Sequence, residues 1–506
     1  MLGPSNFSGD DRPECLRNTR ERTLEDLSNW VNSTSKPNML LLLGRAGTGK
    51  STVATTIADT FRQRHQLGCY LFFSRGKSYP ATVIQTIAYH LAVYDLRIAV
   101  SIDTEIRGYG ELNSATLQSK FNCLLHRPLD AVSSQIHHPV LIVLDAIDEC
   151  GTPEARRGLL NVLRNLVPNL PPNFRFLITG RPEEDVLSLS LSNVQMVTLD
   201  QQSDESKEDV YTFIRHELGN LRSLNMLNVP ASWPWDENIR TLSHRADGLF
   251  VWASTAVKFV SEGGFSRFRR LIELISNARS LNLNELYITI LSDALPWDEY
   301  VASIFKSVFT LILLSKSPLF DHDIPDILGL DLDTTSSLLS RLRSLVIYER
   351  GRPIIIHHTS FYDYLVSCRD RPWYVDIETG KLNIVTRCFE RMEESLRFDI
   401  CKLETSFISN KDIPDLDDRI KVNIPHSLQY ICCNWFNHLH DVLYSQKLCD
   451  QLKSFIWRRL LFWFEVLSLT GTFDDHIGTA FMYTIQWVRV SKQWLLSSTV
   501  SDIYPE

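Results

Sequence analysis

Between Gly44 and Ser51 the chain reads GRAGTGKS, with Thr52 next. These residue types at this spacing serve one chemistry, the cradling of a polyphosphate. Gly44, Gly47 and Gly49 let the backbone bend until several N–H groups face one anion. Lys50 offers a cation to the outer phosphates, and the Ser51 hydroxyl can ligate Mg2+. A helix opening at Lys50, Ser51 and Thr52 turns its positive dipole end toward the same charge.

A second group of candidates lies downstream. LIVLDAIDE supplies four apolar residues and then an acidic cluster. Asp145, at the end of that run, is placed to orient Mg2+, and Asp148 and Glu149 to polarise an attacking water. Beyond it, FRFLITG leads into Arg181, a cation able to sense a γ-phosphate. Ligands of α/β proteins gather at the carboxyl ends of parallel strands, so all four residues are expected beside the phosphate loop. No G-x-S-x-G elbow and no dense Cys/His metal spacing competes with this reading.

The elements that must position these residues are legible as alternation. MLLLLG, GCYLFFS, PVLIVLDAID, FRFLITG and VQMVTL are short apolar runs of the kind buried on both faces of a parallel sheet. Segments such as STVATTIADTFRQRH and TPEARRGLLNVLRNLV separate them as helices, giving a doubly wound α/β domain over 39–199. Residues 1–38 read as a linker with one short helix, 200–295 as helices broken by ASWPWDE. Residues 296–370 combine helices with LVIYERGRPIIIHH, whose Gly-Arg suggests a two-residue hairpin tip. Helices ending in a hairpin are the pattern of a winged helix. From 380 to 506 the chain again reads as helical, with Trp435, Trp457, Trp463, Trp487 and Trp494 expected mostly in a core.

Composition narrows the partners. Lys plus Arg number 52 and Asp plus Glu 60, so the net charge is 52 − 60 = −8. Without a basic block, the chain is a poor nucleic-acid binder. No apolar run reaches membrane length, since VASIFKSVFTLILLSKSPLF is broken by Lys306 and Lys316. The start of the chain lacks a secretory h-region, and ten scattered cysteines fit reduced thiols, so a cytoplasmic location is expected.

GRAGTGKST, LFFSRG, LIVLDAIDEC, LITGRPE and HRADGLFVWASTA together resemble the NACHT branch of the signal-transduction NTPases with numerous domains (STAND). More narrowly, they resemble fungal NACHT proteins, the NLR-like receptors of filamentous and mushroom-forming fungi. HHTSFYDYLVS resembles the winged-helix signature of the same group. The resemblance spans roughly residues 10 to 440.

It implies an α/β P-loop NTPase domain followed by helical, winged-helix and all-α domains. It also implies a switch: ADP holds such proteins closed, ATP opens them, and they self-associate through the NACHT module, signalling to an effector protein. Carried onto this chain, Lys50 and Ser51 bind phosphate and Mg2+, Asp145 is the Walker B acid, Asp148 and Glu149 are the hydrolytic pair, and Arg181 is a sensor. His358, just before Thr359, Ser360 and Phe361, matches the histidine that reaches the β-phosphate of ADP. One departure stands out: Phe250 occupies the place of a proline in the Gly-Leu-Pro-Leu-Ala of plant relatives. Residues 1–38 are short for an effector domain and 380–506 show no repeat, which leaves open a minimal core or a piece of a longer product. The alternative function is an interaction scaffold whose nucleotide is structural and never hydrolysed.

Overall fold

The computed structural model describes residues 12–75, 78–108, 115–190, 193–276, 282–404 and 407–501. The chain divides into two compact units, Met1–Ile290 and Leu291–Glu506. In the first, β1 (Met39–Leu43), β2 (Leu67–Phe72), β3 (Val140–Asp145), β4 (Phe174–Gly180) and β5 (Gln195–Thr198) form one parallel sheet, ordered β2-β3-β4-β1-β5. Every residue of β1, β3 and β4 is buried, which is why these runs show no polar alternation. β5 departs from the expectation of continuous burial. It is an edge strand with one neighbour, and its residues alternate between half-buried and exposed.

Two layers of helix cover the sheet. Leu40 and Leu42 of β1 share a core with Val53, Ile57 and Phe61 of the helix Lys50–Gln63, and with Leu27, Trp30 and Val31 of the helix Glu21–Asn32. Met39, Leu41 and Leu43 face the opposite core, to which Val83–Tyr94, Leu96–Arg107 and Pro153–Leu166 contribute. The segment read as a linker is therefore part of the layer. Arg175, fully buried within β4, fastens it by donating to the carbonyls of Trp30 (2.9 Å), Val31 (3.3 Å), Lys36 (2.9 Å) and Pro37 (3.0 Å). This is an α/β fold, a parallel sheet wound with helices on both faces. The helices Asp204–Ser223, Trp235–Ala246, Phe250–Ser261 and Arg267–Ser276 follow in this unit.

Among its described residues, the second unit is helical apart from one hairpin and an isolated bridge between Phe320 and Pro353. Glu299–Leu314, capped by Asp298, precedes Asp323–Leu328 and Leu332–Arg341. β6 (Val346–Ile347) then pairs antiparallel with β7 (Ile355–Ile356), and the helix Thr359–Leu365 follows. The expected two-residue tip is replaced by the connection 348–354. Pro353 has no N–H to give a ladder, and Ile354 N donates instead to the Leu319 carbonyl (2.8 Å), drawing this segment to residues 319–320.

Helices from Ile377 onward close around aromatic side chains. Trp435 lies 5.1 Å from Phe455 and 5.6 Å from Trp463 between ring centroids. Trp487 is buried as well, whereas Trp457 is 86% exposed, against the core expectation. The helices Gln446–Arg458 and Leu460–Leu469 meet at Arg459, and this break leaves Trp457 and Leu461 outside while Trp463 turns inward. The Trp494 side chain lies outside the described residues.

Candidate functional site

The phosphate loop joins β1 to the helix Lys50–Gln63, with Gly47 at φ 79° and Gly49 at φ 93°. Only glycine adopts such angles without strain, and Gly47 is further bound to lack a side chain. A Cβ there would stand 2.0 Å from Val251 Cγ1. Gly44 N donates to the Gly180 carbonyl (3.3 Å), so the loop starts against the end of β4. Lys50 is buried and its Nζ donates to the carbonyls of Gly44 (2.8 Å) and Arg45 (2.9 Å). Burial pulls its ammonium below the usual lysine range, and the nearby Asp148 and Asp145 oppose that shift. Thr52 is half-buried one position beyond Ser51.

The acidic side forms at the ends of β3 and β4. Asp145 is fully buried; its Oδ1 accepts from Ser51 Oγ (3.2 Å) and from Thr179 Oγ1, and Thr179 Oγ1 in turn accepts from Ala146 N (2.9 Å). Asp145 Oδ2, also buried, accepts no hydrogen bond among the described residues. Burial raises the Asp145 carboxyl above its ordinary range, while Arg12, the two hydroxyls and Lys50 hold it down. Ala146 turns the chain at φ 60°, and the short turn Ile147–Glu149 carries Asp148 and Glu149, both buried.

Arg181 lies across the acidic pair. Its Nε is 3.2 Å from Asp148 Oδ2, its guanidinium 3.9 Å from Glu149 Oε1, and its backbone N–H donates to Asp148 Oδ1 (3.0 Å). The sequence-derived residues Gly44, Gly47, Gly49, Lys50, Ser51, Asp145, Asp148, Glu149 and Arg181 thus come from the carboxyl ends of β1, β3 and β4. The arrangement pairs anion donors and a cation with a buried carboxylate, the composition needed to hold a metal–polyphosphate.

Three arginines that sequence reasoning missed support these groups. Arg20, buried and at φ 56°, donates to the Thr48 carbonyl in the loop (3.0 Å) and to Ser206 Oγ (2.8 Å), and lies 5.1 Å from the Phe250 ring. Its backbone N–H donates to Asp209 Oδ2 (3.2 Å). Arg156 donates to the Asp148 carbonyl and pairs with Glu183 (2.5 Å) and Asp185 (2.5 Å), tying the acidic turn to the loop after Arg181. Arg12 stacks on Phe72, 3.1 Å from the ring centroid. Thr179 was also missed, although a hydroxyl inside the otherwise apolar FRFLITG run was a visible signal.

The segment Gly248–Trp252 covers the loop. Val251 N donates to the Gly47 carbonyl (3.1 Å) and Phe250 approaches the Gly49 position. Gly248, at φ 74°, lets the chain pass the Gln201 carbonyl, which a Cβ would meet at 2.0 Å. Phe250 therefore stands at the phosphate loop, between Arg20 and Phe213. His358 belongs to the second unit, where its Nδ1 accepts from Ser360 N (3.0 Å) and caps the helix Thr359–Leu365. Its neighbour His357 bonds the Arg343 carbonyl (3.0 Å).

A family model described as Nephrocystin 3, N-terminal, matches residues 18–181, from just before Arg20 to Arg181. No curated protein sequence matches the chain significantly. Among solved structures, a signal transduction ATPase with numerous domains from Pyrococcus horikoshii, which carries a tetratricopeptide repeat sensor, aligns over 97% of this chain and 67% of its own at 13% identity and TM-score 0.44. Cdc6p from Pyrobaculum aerophilum aligns over 77% and 98% at 14% identity and TM-score 0.33. The Drosophila ORC bound to DNA aligns over 71% and 87% at 11% identity and TM-score 0.31.

Proposed function

We propose that the chain is a STAND-type NTPase of the NACHT kind that binds ATP and ADP with Mg2+ and acts as a nucleotide-gated signalling switch. The observation that carries this reading is the convergence of Lys50, Ser51, Asp145 and the Asp148–Glu149–Arg181 cluster at one edge of the sheet. The metal fits the residues present: Asp145 Oδ2 is buried with no hydrogen-bond partner among the described residues, beside a serine hydroxyl on the neighbouring element. Ser51 and Asp145 would hold Mg2+, which when bound offsets phosphate charge. Lys50 exchanges its carbonyl partners for phosphate oxygens. Asp148 and Glu149 are the groups to orient a water, and Arg181 leaves them to meet a third phosphate.

On this reading the covering segment at Phe250 and Val251 registers the nucleotide, and self-association and an effector contact follow the ATP state. The family resemblance assigns His358 to the β-phosphate of ADP. A role in fungal non-self recognition or cell death, and a cytoplasmic setting, rest on the same resemblance. Among the described residues no helix is long and apolar enough to cross a membrane. A nucleic-acid partner has no support in a net charge of −8.

The scaffold alternative has one observation in its favour. Asp148 and Glu149 are engaged by Arg181, so neither acid stands ready as a base. The test combines equilibrium binding with phosphate release. Lys50→Ala is expected to abolish ADP and ATP binding, and Glu149→Gln to retain ATP and favour an oligomer. Unchanged ATP affinity in Lys50→Ala overturns the nucleotide reading. Binding with no phosphate release above the Glu149→Gln background selects the scaffold. His358→Asn keeps a helix-capping side chain, so an unchanged ADP off-rate in that variant removes His358 from the site.

A further inference from the structure

The segment that precedes the first helix reaches the metal side of the site. Cys15 N donates to Thr56 Oγ1 (2.8 Å) on the helix Lys50–Gln63, and Arg20 holds the Thr48 carbonyl (3.0 Å), so residues 15–20 are fastened to the loop and its helix. Just before these anchors, Arg12 lays its guanidinium on the Phe72 ring, 3.1 Å from the centroid. Phe72 ends β2 and is paired in register with Asp145 on β3. Neighbouring strands lie about 4.8 Å apart, so the guanidinium sits over the residue beside the buried carboxylate, whose Oδ2 has no hydrogen-bond partner among the described residues. An aromatic face is a favourable seat for a guanidinium.

We propose that Arg12 is a tethered cation that neutralises Asp145 in the metal-free site and opposes Mg2+ entry, so that it sets the Mg2+ concentration at which nucleotide binds tightly. The proposal rests on the nucleotide reading above. A fixed positive charge near a divalent cation repels it, and near a buried carboxylate it supplies part of what the metal would supply. The residue precedes the segment 18–181 matched by the family model. It is a property of this chain's own arm.

The experiment uses the full chain and a fluorescent ADP analogue, titrated across a series of Mg2+ concentrations and in EDTA. Arg12→Gln is expected to lower the Mg2+ midpoint of binding by about three- to tenfold, a change of up to about 1.4 kcal/mol, and to weaken binding in EDTA. Phe72→Leu, which removes the seat and keeps the charge, is expected to shift the midpoint in the same direction by less. An unchanged Mg2+ midpoint in Arg12→Gln overturns the proposal. So does a loss of affinity equal at every Mg2+ concentration, which would make Arg12 a plain phosphate contact. If the wild-type chain binds no ADP with Mg2+, the nucleotide reading itself fails, and that result is separable from the first two.

Discussion

Arg156 shows what single residues do at this site. Its guanidinium is buried yet meets two carboxylates and one carbonyl, so almost every donor has a partner. Replacing it by methionine leaves Asp185, only 12% exposed, without its cation. Breaking such a pair costs roughly 3 kcal/mol. Arg156→Met is expected to lose that much in urea unfolding, and a loss below about 1 kcal/mol would show that the pair contributes little. At this scale the sequence was readable where chemistry is contiguous. Gly44 to Thr52 declares itself because the loop, the cation and the hydroxyl lie within one turn. Arg20 does not, because its partners Thr48, Ser206 and Asp209 stand 28, 186 and 189 residues away. No local spacing encodes such a meeting. Arg181 was found by position, but its engagement with Asp148 and Glu149 depends on how two strand ends turn.

Among elements, the cover at Gly248–Trp252 and the phosphate loop are mutually fitted. Gly47 and Gly248 are both held left-handed, and both lack room for a methyl group. In Gly248→Ala the left-handed backbone alone costs about 1–2 kcal/mol, and the methyl meets a backbone oxygen that has no rotamer to yield. We expect at least about 2 kcal/mol of destabilisation and faster hydrogen exchange through Phe250–Ser261. Stability within about 0.5 kcal/mol of wild type would contradict the fit. Strands were legible as elements because full burial removes polar residues from β1, β3 and β4. The edge strand β5 and the hairpin tip were less so. Each is decided by a neighbour, absent beside β5 and supplied by residues 319–320 at the tip.

At the scale of the whole molecule, acid sensitivity has an identifiable source in the second unit. His438 is fully desolvated, which pushes its imidazole down to about 3, and its Nε2 accepts from Tyr430 Oη (2.8 Å). The unfolded chain takes up this proton near pH 6.5, whereas the folded chain does not until about pH 3. Stability is therefore complete above the unfolded value and falls on acidification through that window, by at most about 1.4 kcal/mol per pH unit. His438→Gln is expected to flatten the decline between about pH 6 and 4 in denaturant titrations. An acid limb as steep as wild type would place the cause elsewhere. The sequence conveyed a sheet followed by helices, because that is a matter of period. It did not convey that residues 21–38 are bound into the sheet layer by Arg175, since a buried arginine in a strand reads as an interruption until its four carbonyl partners are seen.

The lysine of the phosphate loop carries one more consequence. Because its ammonium already rests on the oxygens of Gly44 and Arg45, the site holds an internal surrogate for its ligand. On the proposed nucleotide reading, an incoming phosphate competes with these two backbone oxygens for the ammonium, and the effective concentration of that intramolecular competitor cannot be lowered by dilution.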